Sequence, residues 1–597
     1  MIPIPIGVDD FRKLREQGLA YVDKSSLIRE LIDQAGVEVV LLPRPRRFGK
    51  TVNLSMLRAF FEKREEDLSH LFQDLSIWRA GDHYRAHFQR YPVIAFDFKG
   101  TTADSFEDLW TKLREKIVDL YREHRYLLDS GQMDEVDLRR YRSVIDGTAE
   151  RALYERALRD LSAWLHRHHG EKVIVLIDEY DAPVHTGHLH GFAGKVLDFM
   201  RGFFSEGLKT NPHLHRGVIT GVLRIGKESL FSDANNIGVF TLLARRFHTA
   251  FGFTEPEVQD LLARASMSDR MSAVRAWYNG YLFGGEVIYN PWSVLSFLQR
   301  GDPHPRPYWL STSSNDLIRE LLARFATELT PVFESLLSGA SVVRPLDENV
   351  VLDDLRLEGS LWSLLVFAGY LNASEVPRDD LTPASLYSLS IPNLEVRQVY
   401  ATTFRTWMLA RLKGHGGSLE KLTSALLSGD SSGLEAQLQA FATNLLSYHD
   451  PGTLDPEGVY HAFVLGLLAV MEPHHQVRSN RESGEGRPDL QVRPNAPDRP
   501  AAVLELKVAR KGRKSPAAAL KEGLAQIRAG RYEAELLAAG ASEVHAFAVA
   551  FDGKRVWVRS ATSRRPEKRK RTGKPPGEKR ARSTKRGRRR AAPDGDR

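Results

Sequence analysis

The feature that most restricts how this chain folds is a strand-like run, Val37 to Leu42, that ends in the basic loop Arg44-Pro45-Arg46-Arg47-Phe48-Gly49-Lys50-Thr51 and leads into a helical stretch from Asn53. A strand, a glycine-bearing loop and a helix in this order gather backbone N–H groups, a lysine and a hydroxyl around one point, which is how chains bind phosphate. Gly49, Lys50 and Thr51 take the roles of turn, phosphate cation and magnesium-binding hydroxyl. The first glycine of the usual G-x-x-x-x-G-K-[ST] pattern is replaced by Arg44. Losing it removes backbone freedom, and Arg44, Arg46 and Arg47 are expected in exchange to direct positive charge at triphosphate oxygens. A basic helix start with a chance Gly-Lys-Thr is the bland alternative.

The surrounding pattern supports the phosphate reading. Strand candidates at Pro92 to Phe98, Val173 to Asp178 and Arg216 to Val222 alternate with helical stretches at Ser105 to Glu123, Thr148 to His169 and Gly191 to Gly207, predicting a parallel sheet covered by helices. The apolar strand Val173 to Asp178 ends in two acids, Asp178 and Glu179. In that order they suit a magnesium ligand and a group that polarises an attacking water. At the end of the next strand Thr220 is a candidate γ-phosphate sensor and Arg224 a candidate for charge neutralisation, with an ordinary strand-end turn as the alternative.

At 597 residues the chain is too long for one core, and it contains no cysteine. Disulfides, thiolate catalysis and cysteine-held zinc or iron–sulfur clusters are excluded, and a reducing cytoplasm is the expected setting. No apolar stretch reaches the roughly 18 residues of a membrane span. The net charge of +8 is uneven: Arg564 to Arg597 holds 16 Lys/Arg against four acids, or +12, leaving −4 for the rest. So basic a segment with so little to bury is expected to be disordered and drawn to polyanions, or else simply solubilising.

A last organisation begins near Glu457: an apolar helix, a strand at Gln476 to Ser479, a glycine-rich turn at Ser483 to Gly486, strands Asp489 to Val492 and Ala502 to Leu506, a helix from Pro516 to Ala538, and a strand Val544 to Phe551. Alternation puts Glu505 and Lys507 on one face and Leu506 on the other. If the strand starting at Asp489 pairs with this one, Asp489 and Glu505 can share a divalent cation while Lys507 orients a water. Gln526 is a further candidate near a scissile phosphate. His461 and Tyr532 either contact substrate or pack.

The runs IPIGVDDFRKLREQGLAYVDKSSLI, LPRPRRFGKTVNLSML, VIVLIDEYDAPV, FGFTEPEV, WYNGYLFGG, IYNPWSVL, YWLSTSSNDLI and LWSLLVFAGYL resemble the AAA-ATPase-like proteins that carry a C-terminal PD-(D/E)XK nuclease-like domain. That family's loop itself reads Arg-Pro-Arg-Arg-Phe-Gly-Lys. Pattern and resemblance together divide the chain into an α/β P-loop sheet over 1–253, a helical lid over 254–345 and a helical connector over 346–440, both expected from apolar spacing of three and four, and a mixed α/β nuclease-like domain over 441–560, with the basic tail over 561–597 outside the resemblance. The resemblance further implies nucleotide binding at Lys50 and Thr51 with Asp178 and Glu179 as the acidic pair. ATP and magnesium, with manganese as a substitute at Asp489 and Glu505, are the expected cofactors. Nucleic acid, DNA in preference to RNA, is the expected partner. The function expected is ATP-dependent control of a nuclease. The alternatives are a nucleotide-gated binding or scaffold protein with an inactive nuclease fold, and a nuclease whose P-loop domain is purely structural. The aromatic runs at Trp277 to Tyr281 and Tyr289 to Trp292 are read as lid packing.

Overall fold

The computed structural model describes residues 3–225, 236–301, 304–309, 332, 336, 339–348, 358–377, 385–400, 416–445, 456–468, 471, 475–479, 488–509 and 514–564. The expected glycine-rich turn at 483–486, the tail beyond Arg564 and most of the stretch 317–357 lie outside these residues.

Five strands form a wholly parallel sheet in the first half: β1 (Val39–Pro43), β2 (Val93–Asp97), β3 (Val173–Asp178), β4 (Leu214–Gly221) and β5 (Ile237–Val239). Their spatial order is β2-β3-β4-β1-β5. Every residue of β1 and β3 is buried, as expected when helices cover both faces of a parallel sheet. Because β4 lies between β1 and β3, the carboxyl ends of the loop strand and the acidic strand open on the same edge, where α/β sheets place ligands. Four of these strands are legible as apolar runs. The short edge strand β5, half-buried and containing Gly238, is not.

Beyond the sheet and α1 (Lys50–Phe61), the helix that follows β1, helices α2 (Glu255–Arg264) and α3 (Pro291–Arg300) lie in the stretch expected to be a lid and share a small core of Val258, Leu261, Val294 and Phe297. The N-terminal segment is fastened to it: Lys24 Nζ, buried, reaches Glu257 at 2.7 Å and the Thr249 carbonyl at 2.9 Å. The lid and connector carry more strand than helical spacing suggests. A hairpin of β6 (Tyr281–Phe283) and β7 (Glu286–Ile288) precedes α3, and β8 (Val342–Pro345), β9 (Asn372–Glu375) and β10 (Leu386–Ser390) form a three-stranded antiparallel sheet. These strands are only three to five residues long, too short for a period of two to stand out.

The C-terminal unit is a five-stranded mixed sheet, β11 (His475–Ser479), β12 (Leu490–Pro494), β13 (Ala501–Val508), β14 (Glu543–Asp552) and β15 (Arg555–Arg564), ordered β11-β12-β13-β14-β15 with only β13 and β14 parallel. On one face pack α4 (Gly416–Ser428), α5 (Ser431–Leu445) and α6 (Pro456–Leu468), and on the other α7 (Pro516–Ala529) and a short helix Tyr532–Ala538. Three expectations change here. Helices α4 and α5, assigned by sequence to the connector, bury Leu422, Leu426, Leu438 and Phe441 against this sheet, so the unit begins near 416 rather than 441. The single helix expected over Pro516 to Ala538 breaks at Gly530-Arg531, where Arg531 turns left-handed at φ 49°. The basic tail starts later than 561, because β15 pairs with β14 as far as Arg564.

Candidate functional site

The loop after β1 turns through two left-handed residues, Arg47 at φ 70° and Gly49 at φ 83°. The backbone freedom usually supplied by the first glycine is therefore not needed at position 44, and Arg44 serves another purpose. Its side chain is fully buried, donating to the carbonyls of Pro43 at 2.8 Å, Phe240 at 2.7 Å and Phe247 at 3.1 Å, with Phe251 and Phe283 flanking the guanidinium. The expectation that Arg44 faces a triphosphate is thus corrected: it pins the 240–247 segment beneath the loop. Arg46 and Arg47 do line the cleft above it.

That cleft has a volume of about 560 Å³. Gly49, Lys50 and Thr51 line it together with Glu179, Asp181, Phe253 and the lid-stretch residues Trp292 and Leu295. Lys50 Nζ donates to the carbonyls of Arg44 and Pro45, both at 3.0 Å, and burial lowers its pKa despite the nearby acids. Thr51 Oγ1 donates to Asp178 Oδ2 at 2.6 Å, while the Thr220 hydroxyl and the Glu179 backbone N–H both meet Oδ1. Hydroxyl and carboxylate thus stand side by side as hard oxygen ligands suited to magnesium. Burial, with Asp178 adjacent, raises the Glu179 carboxyl above the usual carboxylate range. Its backbone is also left-handed, at φ 52°. Thr220 points at Asp178 rather than lining the cleft, and Arg224, half-buried just past β4, does not line it either.

In the C-terminal unit, Glu505 and Lys507 share the α7 face of β13 while Leu506 enters the opposite core, as alternation requires. Asp489 immediately precedes β12, and its Oδ2 accepts the Leu506 backbone N–H at 2.8 Å. Lys507 Nζ lies 3.0 Å from Glu505 Oε1, whereas the buried Glu505 Oε2 has no hydrogen-bond partner. Burial, then the Asp489 charge, pushes the Glu505 carboxyl up to about 7. A buried carboxylate oxygen without a donor, beside a second carboxylate, fits a divalent cation. Among the described residues no cluster of three or more His, Asp or Glu adds to that pair. His461 Nε2 contacts the Asp489 carbonyl at 3.0 Å, Tyr532 packs beneath α7, and Gln526 is exposed on α7.

Residues 5–231 match the family model described as "Predicted AAA-ATPase", and residues 455–561 match that of the PD-(D/E)XK nuclease superfamily. The chain joins an AAA-ATPase-like domain to a PD-(D/E)XK superfamily domain. It is also 28% identical over 499 residues, 82% of its length, to an uncharacterized protein in the vnfD 5' region of Azotobacter chroococcum mcd 1, covering 86% of that protein.

Sequence reading overlooked the part that two residues play at the cleft. Asp181 is buried at the cleft and its Oδ2 accepts from the backbone N–H groups of Val222 and Leu223, both at 2.9 Å, tying the end of β3 to the end of β4. The Asp-Glu-x-Asp spacing was its visible trace. Trp292, read as packing, lines the cleft with its ring only half-buried. No periodicity separates it from its neighbours Tyr278, Tyr281 and Tyr289, which are buried.

Replacing Arg44 by the glycine of the general loop pattern is expected to destabilise the AAA-ATPase-like domain. Three carbonyls lose a charged donor worth about 1.5–3 kcal/mol per bond, so calorimetry should show Tm falling by about 10 °C or more. A second outcome concerns the PD-(D/E)XK domain. Glu505 titrates higher folded than unfolded, so the folded state holds the extra proton between the usual carboxylate range and about 7. Its contribution to stability is therefore lost as pH rises through that window. Glu505→Gln should flatten that slope in urea titrations at stepped pH, and cation binding to the wild type should strengthen over the same window.

Proposed function

We propose that the chain binds and hydrolyses ATP and couples this to a divalent-metal-dependent nuclease acting on nucleic acid. The observation that carries the reading is the convergence of Thr51, Asp178 and Thr220, which come from the helix after β1 and from the ends of β3 and β4 and meet at one carboxylate beside Lys50. Such a meeting of hydroxyl, acid and lysine at a strand–loop–helix turn has little structural purpose in the absence of phosphate.

In this reading Lys50 exchanges its two loop carbonyls for phosphate oxygens, and Gly49 to Thr51 present backbone N–H groups to the same anion. Thr51 and Asp178 would hold magnesium, which when bound would supply positive charge to the phosphate groups. Glu179, whose carboxyl is raised toward neutrality, orients the attacking water and accepts its proton. In the C-terminal domain Asp489 and Glu505 hold magnesium or manganese, and Lys507 orients the water that attacks the phosphodiester. The basic tail beyond Arg564 contributes sequence-independent attraction to nucleic acid. A nucleotide-gated, binding-only role for the nuclease fold is the second reading. It is favoured by the Lys507–Glu505 ion pair, which competes with a cation for the carboxylate.

Lys50→Ala should abolish ATP binding in calorimetry. Glu179→Gln should keep binding within about threefold but lower hydrolysis by about 10² or more, as expected when the group that handles the water's proton is removed. Equal hydrolysis by wild type and Lys50→Ala sinks the ATPase reading. On labelled DNA and RNA with magnesium or manganese, Asp489→Asn and Glu505→Ala should remove both metal binding and cleavage. Lys507→Ala should retain the metal and slow cleavage. Wild-type protein that binds these substrates and cuts none of them decides for the binding-only reading.

A further inference from the structure

The Arg47 guanidinium carbon lies 4.2 Å from the centre of the Trp292 ring, close for a cation over an aromatic face. The two residues belong to different layers: Arg47 to the phosphate loop, Trp292 to the first turn of lid helix α3. Both line the cleft.

Each side of the contact is held from behind. On the loop side, the left-handed backbone of Arg47 sends its side chain out over the cleft rather than into the sheet, and Glu179 is its strongest attracting charge. On the lid side, the Asn290 carbonyl oxygen of the side chain accepts the backbone N–H groups of Trp292 at 3.0 Å and Ser293 at 3.3 Å. Ser293 Oγ in turn donates to the buried Glu395 at 2.7 Å. A tryptophan that merely filled the lid core needs no such alignment with a loop arginine. Tyr278 and Tyr289, from the same two aromatic runs, are buried in that core, whereas the Trp292 ring is not.

Resting on the nucleotide reading, we propose that Trp292 is a positioning residue for the triphosphate site, holding Arg47 over the cleft as a second phosphate-directed cation beside Lys50. Stacking engages a guanidinium through its face, whereas oxyanions are bound through its edge, so Arg47 meets a nucleotide phosphate without leaving the indole. The arrangement removes side-chain freedom before the ligand arrives. It also makes the affinity of the phosphate loop depend on a lid residue.

The test is a double-mutant cycle on the full chain, with ATP and ADP titrated calorimetrically in the presence of magnesium and Tm recorded for each variant. Trp292→Leu should weaken ATP binding about tenfold with Tm lowered by only a few degrees, because Arg47 regains side-chain freedom that phosphate binding must then remove. Trp292→Phe, which keeps a poorer aromatic face, should restore affinity to within about threefold of wild type. In an Arg47→Ala background, neither Trp292 substitution should weaken ATP further. If Trp292→Leu does not fold, the smaller Phe effect and its disappearance in Arg47→Ala carry the same information. An equal loss in both backgrounds overturns the proposal, since Trp292 then acts on the nucleotide itself or on packing. No loss in the wild-type background overturns it as well. Wild-type protein that binds no ATP brings down the nucleotide reading beneath it, an outcome distinct from binding without coupling.

Discussion

One carboxylate, that of Asp178, joins the loop, the acidic strand and the strand between them. It accepts hydrogen bonds from Thr51 on the helix after β1 and from Thr220 at the end of β4. This requires β4 to sit between β1 and β3 in parallel register, with Leu42 opposite Thr220 and Ile177 opposite Ile219. A one-residue slip in either pairing sends Thr220 or Asp178 to the opposite face of the sheet. The parallel sheet with both faces buried is therefore what holds the site, and Asp181 reinforces it by binding the backbone just beyond β4.

The C-terminal unit solves a similar problem with less. A single strand, β13, carries an acid and a lysine on one face and core residues on the other, and Asp489 is locked against its backbone. Burial acts in the same sense at the two sites, against the charged form. In the cleft it lowers a lysine and raises Glu179, while on β13 it raises Glu505. In each case burial works against the charged form of the group, and a bound phosphate or cation would favour that charge again.

Arg44 shows how a local motif misleads. Read as a loop residue it is a cation near phosphate, since a pattern match ranks it with Arg46 and Arg47. Its backbone is not left-handed, and its side chain finds the carbonyl of Pro43 and two more, those of Phe240 and Phe247, from the segment after β5. The left-handed turn falls instead on Arg47, three residues later. The chain thus meets the geometric demand of the loop without the expected glycine.

Much of this protein is determined by local pattern. The four long strands of the first sheet, the Gly49-Lys50-Thr51 loop, the Asp178-Glu179 strand end and the placement of Glu505 and Lys507 on one face follow from apolar runs and from the period of two, which neighbouring residues set. The tertiary structure decided what depends on distant segments meeting. It brought Thr220 onto Asp178, buried Arg44, set Trp292 against Arg47 and drew α4 and α5 into the C-terminal core. These contacts span from 42 residues, for Thr220 and Asp178, to more than 200, for Arg44 with Phe247 and for Arg47 with Trp292, so no short window of sequence contains both partners. Their energies come from burial and from pairing across layers, which exist only once the sheet has ordered its strands.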